Sequence, residues 1–220
     1  MAKTDLNEKI KLAYIDYTLS HGKRPESVYV FMKDLKLTES DFYKYYTTFD
    51  AVESSIWKSI FTNTLSTIKS QEVFETYSSR EKMLAFYFGL AENLKSNRSF
   101  VTYTFKSTKK VQFSTPYFLN DFKKLFEDFA KDVISEGINT GEIIDRKFLS
   151  DKYSDALWLQ LMFVINFWVD DQSTDFERTD EAIEKGLNVT FDLMATSPLD
   201  SMIEYGKFLF RNSPMQKFKI

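Results

Sequence analysis

The sequence predicts an all-α fold of about nine or ten helices, with a three-helix head in front of a larger helical bundle. Three observations carry this. Gly occurs 6 times and Pro 4 times in 220 residues, too few turn-formers for a chain of many short strands and hairpins. Apolar residues recur at three-to-four spacing in segment after segment, the period of an amphipathic helix. The segment from Leu149 to Val169, apolar nearly all round along its helix, is far longer than an ordinary strand.

The elements follow in order. Asp5 to Ser20 carries Leu6, Ile10, Ala13, Tyr14 and Tyr17 on one face, and Gly22 suits a left-handed helix end. Pro25 is placed to open a second helix running to Leu35, with Val28, Phe31, Met32 and Leu35 as its apolar side. Lys36-Leu37 makes a tight connection. Thr38 is an N-cap with Asp41 as its acidic partner, and a short helix Glu39 to Tyr45 follows. Asp50 to Ser70 is a longer helix, then Arg80 to Leu94. Pro116 opens a helix ending at Ser135, where Glu136-Gly137 stops it. Leu149 to Val169, Phe176 to Met194 and Leu199 to Phe210 complete the set. Ser96 to Thr115 is less regular. Its partial alternation hints at strand, but a short helix plus a loop, with Lys106, Lys109 and Lys110 as a basic stretch, is the reading adopted.

Composition narrows the function. There is no cysteine, hence no disulfide, thiolate metal site or cysteine nucleophile. His21 is the single histidine and sits beside a helix-ending glycine, so a histidine triad or zinc site lacks its partners. No phosphate-cradling glycine loop is present. Asp170, Asp171 and Asp175 cluster after a helix and read as a solvated loop rather than a cation site. The expectation is a protein that is not an enzyme, with no catalytic residue, metal or cofactor. Met1 to Glu8 is polar, without the apolar core of a secretory signal. The most apolar run, Ala156 to Val169, falls short of the ~20 residues of a membrane span. A cytoplasmic protein with no stable membrane insertion is expected. Residues 1–49 hold eight basic and seven acidic residues, net +1; residues 50–220 hold 21 and 25, net −4.

Ser27 to Thr38, Phe42-Tyr43-Lys44-Tyr45-Tyr46 and Asp50-Ala51-Val52 resemble the second helix and turn, the recognition-helix ending and the fourth-helix start of the TetR regulators. Phe167 to Ser173, Thr179-Asp180 and Ile183-Glu184-Lys185 resemble the C-terminal domain of a TetR subgroup. The resemblance implies a helix-turn-helix DNA-binding domain over residues 1–49 and a ligand-binding and dimerisation domain over 50–220. In that plan the third helix faces the major groove, helix starts hold phosphates, and a ligand in the body alters the spacing of two paired subunits. Three positions depart from the pattern: Lys36 replaces the turn glycine, Met32 a small packing residue, and Phe49 a lysine expected to meet phosphate.

The DNA-contacting candidates are Ser27, Thr38, Ser40, Tyr43, Lys44 and Tyr45; caps, a solvated face and core rings are the bland alternative. The pocket candidates are Phe86, Tyr87, Leu90, Phe100, Tyr103, Phe122, Phe126, Trp158, Met162 and Phe163, since ligand sites in bundles are concave and mostly apolar; ordinary core is the alternative. Leu157, Leu161, Ile165, Trp168, Ile183, Leu187 and Phe191 are candidates for a homodimer interface, against burial within one chain. Leu199 to Ile220 is amphipathic, with Met202, Ile203, Phe208, Leu209 and Phe210 beside Lys207, Arg211, Lys217 and Lys219; a helix packed on the body with a frayed tail is preferred to a membrane-surface segment. The expected function is a ligand-responsive regulator that binds operator DNA as a homodimer. The alternative is a protein of the same fold that has lost DNA binding and carries a lipid or isoprenoid-type apolar ligand. Lys36, Phe49, Glu39 and Asp41 lean toward that second reading.

Overall fold

The computed structural model describes residues 5–107, 115–146, 149–195 and 198–212. Lys109, Lys110, Ser197, Lys217 and Lys219, and the side chains of Leu199, Ile203 and Phe210, lie outside what it describes. Ten α-helices and no strand occur among the described residues. They are α1 (Leu6–His21), α2 (Val28–Asp34), α3 (Glu39–Tyr43), α4 (Phe49–Lys69), α5 (Ser79–Ser96), α6 (Arg98–Ser107), α7 (Asn120–Thr140), α8 (Tyr153–Asp170), α9 (Glu177–Met194) and α10 (Pro198–Asn212).

Capping chemistry sets most boundaries. Asp5 caps α1, and Gly22 ends it with φ 64°. Pro25 does not open α2. The Ser27 hydroxyl accepts from the Val30 N–H (3.2 Å) and fixes the start three residues later. Capping boxes begin α3 (Thr38 with Asp41) and α5 (Ser78 with Glu81). The region read as irregular holds α6, whose buried face is Phe100, Val101 and Thr104. Gly137 does not stop α7. The helix runs on to Gly141, which takes φ 79°. Gly137 is instead a point of close approach: a Cβ there would lie 2.6 Å from Ile143 Cδ1 and 2.9 Å from Ser79 Oγ. Pro116 precedes a short 3-10 turn, Tyr117–Leu119, which leads into α7.

Helices α1 to α3 form a trihelical head, and α4 runs from it into the body. In the body α4 packs on α5, α7 and the 117–119 turn, α5 on α9, α7 on α8, and α8 on α9. The interior is largely aromatic, with Trp57, Phe61, Phe86, Phe118, Phe122 and Phe126 all fully buried. Of the acidic residues after α8, Asp171 is structural, while Asp170 and Asp175 face solvent. Asp171, 6% exposed, accepts from Ser173 N and Oγ (2.8 and 2.7 Å) and from Thr179 N and Oγ1 (3.0 and 2.6 Å), and so fastens the start of α9. Burial alone would raise its carboxyl, but these hydrogen bonds hold it below the ordinary aspartate value. Among the described residues no helix is long and apolar enough to cross a membrane.

Candidate functional site

The head is built around Phe49. Its ring stacks on Tyr14 (5.4 Å) and meets Phe31 (5.6 Å) and Phe42 (5.5 Å) edge-on, while Met32 is fully buried beside them. Phe49 and Met32 therefore serve the head's own core. The turn between α2 and α3 keeps a glycine geometry without a glycine. Lys36 has φ 57°. Leu37 N–H donates to Met32 O (2.9 Å) and Lys36 N–H to Lys33 O (3.0 Å), the Schellman pattern in which the left-handed residue is usually Gly. Because that turn holds, α3 stays clear of the body on its outer side.

Ser27, Thr38, Ser40, Tyr43, Lys44 and Tyr45 are all exposed. Their electrostatics are muted. The Ser27 and Thr38 hydroxyls are engaged as caps. The Lys44 ammonium pairs with Asp41 Oδ1 (2.8 Å), and Asp41 Oδ2 accepts from Thr38 N–H (3.1 Å) and Oγ1 (2.7 Å). Hydrogen bonds from Lys44 and Thr38 hold the Asp41 carboxyl down at about 2. Asp41 is thus folded into the cap, and Glu39 is the carboxylate of α3 left facing solvent. Lys33 and Lys36 carry no ion pair among the described residues. Exposed rings, Tyr29, Tyr43 and Tyr45, with Val30 beside them, make up much of the remaining surface.

A buried carboxylate joins head to body. Glu53 of α4 is 2% exposed. Its Oε1 accepts from Tyr14 OH (2.6 Å) and Arg24 Nε (3.0 Å), and its Oε2 accepts from Arg24 Nη2 (2.7 Å) and from Tyr117 OH. Arg24 Nη1 also reaches Asp50 (2.7 Å), and the guanidinium lies over the Tyr117 ring at 5.4 Å. Burial first, and then the bond to Glu53, push both the Tyr14 and Tyr117 hydroxyls far above the usual phenol value. Of these four residues only Tyr14 was named from the sequence, as part of an apolar face; Arg24, Glu53 and Tyr117 were not singled out. The signal was faint: a single Glu on the apolar stripe of the α4 segment.

In the body Phe86, Tyr87, Leu90, Phe100, Phe122, Phe126 and Trp158 are buried. Most of them touch: Phe86 lies 5.6 Å from Phe126, and Trp158 lies 6.2 Å from Phe122 and 5.8 Å from Phe126. Tyr87 OH donates to Leu157 O (2.7 Å). Of the other pocket candidates, Tyr103 and Phe163 lie apart, and Met162 packs on the core from its edge. Tyr103 lines an open cleft of about 610 Å³ between Gly22 and the outer side of α6, with Ser99, Thr102 and Lys106. Met162 is half-buried, and Phe163 is 58% exposed on the outside of α8. A second groove, about 600 Å³, runs between α4 and α5 past Thr67, Gln71, Phe88 and Asn93.

Leu157, Leu161, Ile165, Trp168, Ile183, Leu187 and Phe191 are all at most 1% exposed within the single chain. The outward faces of α8 and α9 carry other residues: Leu159 (64% exposed), Phe163, Val189 (59%) and Leu193 (48%). Sequence spacing finds a buried face without saying what buries it. A second stripe on the α9 segment, Ala182, Gly186, Val189 and Leu193, lies on the side away from that buried face.

Residues 82–209 match the family described as "Tetracyclin repressor-like, C-terminal domain". The chain belongs to the TetR family. Among solved structures, a TetR-family transcriptional regulator from Syntrophomonas wolfei str. Goettingen is similar, with TM-score 0.64 and 16% identity over 86% of this chain and 95% of that one. A protein of unknown function from Rhodococcus sp. RHA1 is similar too, with TM-score 0.58 and 10% identity over 89% of this chain and 98% of that one. At such identities the likeness concerns the fold. No curated protein matches the sequence.

Proposed function

We propose that this TetR-family chain is a ligand-responsive transcription regulator that binds operator DNA as a homodimer. Residues 1–49 would act as the helix-turn-helix domain and residues 50–220 as the ligand-binding and dimerisation domain. The observation that carries the reading is the intact turn at Lys36. A non-glycine residue accepts a left-handed conformation there, and α3 is left presenting Ser40, Tyr43 and Lys44 outward. Helix-turn-helix recognition needs that geometry. Ser27 and Thr38 sit at helix starts where backbone N–H groups meet phosphate, with Tyr45 at the edge of the face. The outward apolar residues of α8 and α9 are offered as the subunit contact, and an apolar small molecule as the ligand of the ring-lined body. Such a regulator works in the cytoplasm and catalyses nothing.

A second reading has its own support. The head carries few unpaired cations, and Phe49 is turned into the core where the family has a phosphate-facing lysine. Phosphate neutralisation supplies much of the affinity for DNA, so a head this neutral also suits a lipid or isoprenoid carrier. One experiment separates the two. The protein is incubated with genomic fragments across a salt series, and native mass spectrometry records any co-purified ligand. Specific, salt-sensitive retention of a fragment supports the regulator. Absence of retention at low salt, together with a bound lipid, refutes it in favour of the carrier.

A further inference from the structure

The head meets the body through α1 against α4 and α6, through Tyr14 and Arg24 on Glu53, and through Arg24 on Tyr117. Tyr117 and Phe118 are consecutive, and their rings stand nearly perpendicular (85°). Tyr117 points to the joint, donating to Glu53 and accepting from Arg24 Nη2. Phe118 points into the core, stacked on Trp57 (5.6 Å, 23°) and edge-on to Phe105 (5.4 Å). Glu53 and Trp57 lie one turn apart on α4, on the same face. The short 3-10 turn therefore straddles two settings, a polar joint and a ring core, and the Ser54 hydroxyl also reaches its backbone at Tyr117 O (3.4 Å).

We infer that the Tyr117–Phe118 pair is the transmission element between body and head, with Tyr117 as a positioning residue for the head. This rests on the regulator reading given above. Two adjacent residues of one tight turn cannot move independently. A shift of Phe118 by about 1 Å takes the Tyr117 hydroxyl out of hydrogen-bond range of Glu53, because such bonds weaken steeply beyond roughly 3.2 Å. Arg24 then loses the ring beneath it and keeps only the carboxylates of α4, so the α1–α2 connection is held by α4 alone and no longer by the 117–119 turn. The core side is continuous with the ring cluster of the body. Phe118 leads through Trp57 and Phe122 to Trp158 on α8. The Trp57 indole N–H is fully buried with no acceptor among the described residues.

The cysteine-free chain allows a clean test. Spin labels are placed through Asp34→Cys in the head and Lys131→Cys on α7, both exposed positions. The labelled chain is diluted into excess unlabelled protein so that distances within one chain dominate. Tyr117→Phe, which removes one oxygen, is expected to give a second, shifted distance population. Phe118→Leu, whose ring packs on Trp57 and Phe105 of the body, is expected to give the same population, and the double variant no further change. Phe129→Leu is the control. It is a core ring of α7 packed on Phe86, and it is expected to lower the melting temperature without moving the head. An unchanged distribution in both Tyr117→Phe and Phe118→Leu overturns the inference, as does a shift from Phe129→Leu equal to theirs. Thermal scans show which variants fold, and Tyr117→Phe alone decides the matter if Phe118→Leu does not. No DNA or ligand enters this measurement, so its failure is separate from a failure to bind operator.

Discussion

Replacing Lys36 with glycine probes the turn on which the head's outer face depends. Lys36 holds φ 57°, a conformation that costs a residue with a Cβ about 1–2 kcal/mol. Glycine removes that strain but loses more freedom on folding, which returns about 0.5–1 kcal/mol. The Schellman hydrogen bonds are made by backbone atoms of residues 32, 33, 36 and 37 and survive the change. The net expectation is a stabilisation of about 0.5–1 kcal/mol. For a chain of this size that raises the melting temperature by about 1–4 °C. Circular dichroism melts at fixed protomer concentration are the assay, since oligomerisation shifts the apparent midpoint. Lys36→Ala keeps the Cβ and loses only the exposed remainder of the side chain with its charge, so its melting temperature should stay near wild type. The reasoning is refuted if Lys36→Gly melts lower than wild type, or if Lys36→Ala gains as much as Lys36→Gly.

Further predictions follow from the same geometry. Operator affinity should fall with salt only moderately. Lys33, Lys36 and Lys44 from two subunits give a log–log slope of about −5, and Lys36→Gln should reduce it by about 2 per dimer, read by fluorescence anisotropy. Leu193→Glu on the outer face of α9 should yield monomers in light scattering while helicity is kept. Leu161→Ala, inside the bundle, should instead cost about 2–5 kcal/mol of stability with the subunit count unchanged. Asp171→Asn should weaken the start of α9 by about 1–2 kcal/mol at neutral pH. The folded-state carboxyl is depressed, so its contribution is present above the unfolded value and is lost as pH falls through the folded one. The gap between Asp171→Asn and wild type should therefore close in acid melts below about pH 4; a gap that widens there contradicts the assignment.

Helix identity was legible because it rests on local signals. The Thr38–Asp41 box, Gly22 and the three-to-four stripes are written within a few residues of each other. Errors arose where a local signal competes with a distant one. Gly137 looks like a stop in isolation, yet Ile143 and Ser79 need its missing side chain. Pro25 looks like a helix start until Ser27 takes the cap. The candidate DNA face was legible as a set of exposed residues, because short helices between good caps leave little room for alternatives. The joint was not. Arg24, Glu53 and Tyr117 are separated by 29 and 64 positions, and no periodicity relates them. The inner and outer faces of α8 were also indistinguishable, since the helix is apolar nearly all round and only packing against α9 reveals which side remains outside.

Selection from random-sequence DNA bears most directly on the claim that this TetR-family head reads an operator. Purified protein is mixed with a randomised duplex library at low salt, and bound DNA is recovered and sequenced over several rounds. The account predicts enrichment of an inverted repeat, its two halves matching a two-fold pair of heads, and loss of that enrichment in Tyr43→Ala/Lys44→Ala protein that still folds. Recovered DNA with no shared sequence, or no recovery at low salt by folded wild-type protein, contradicts it.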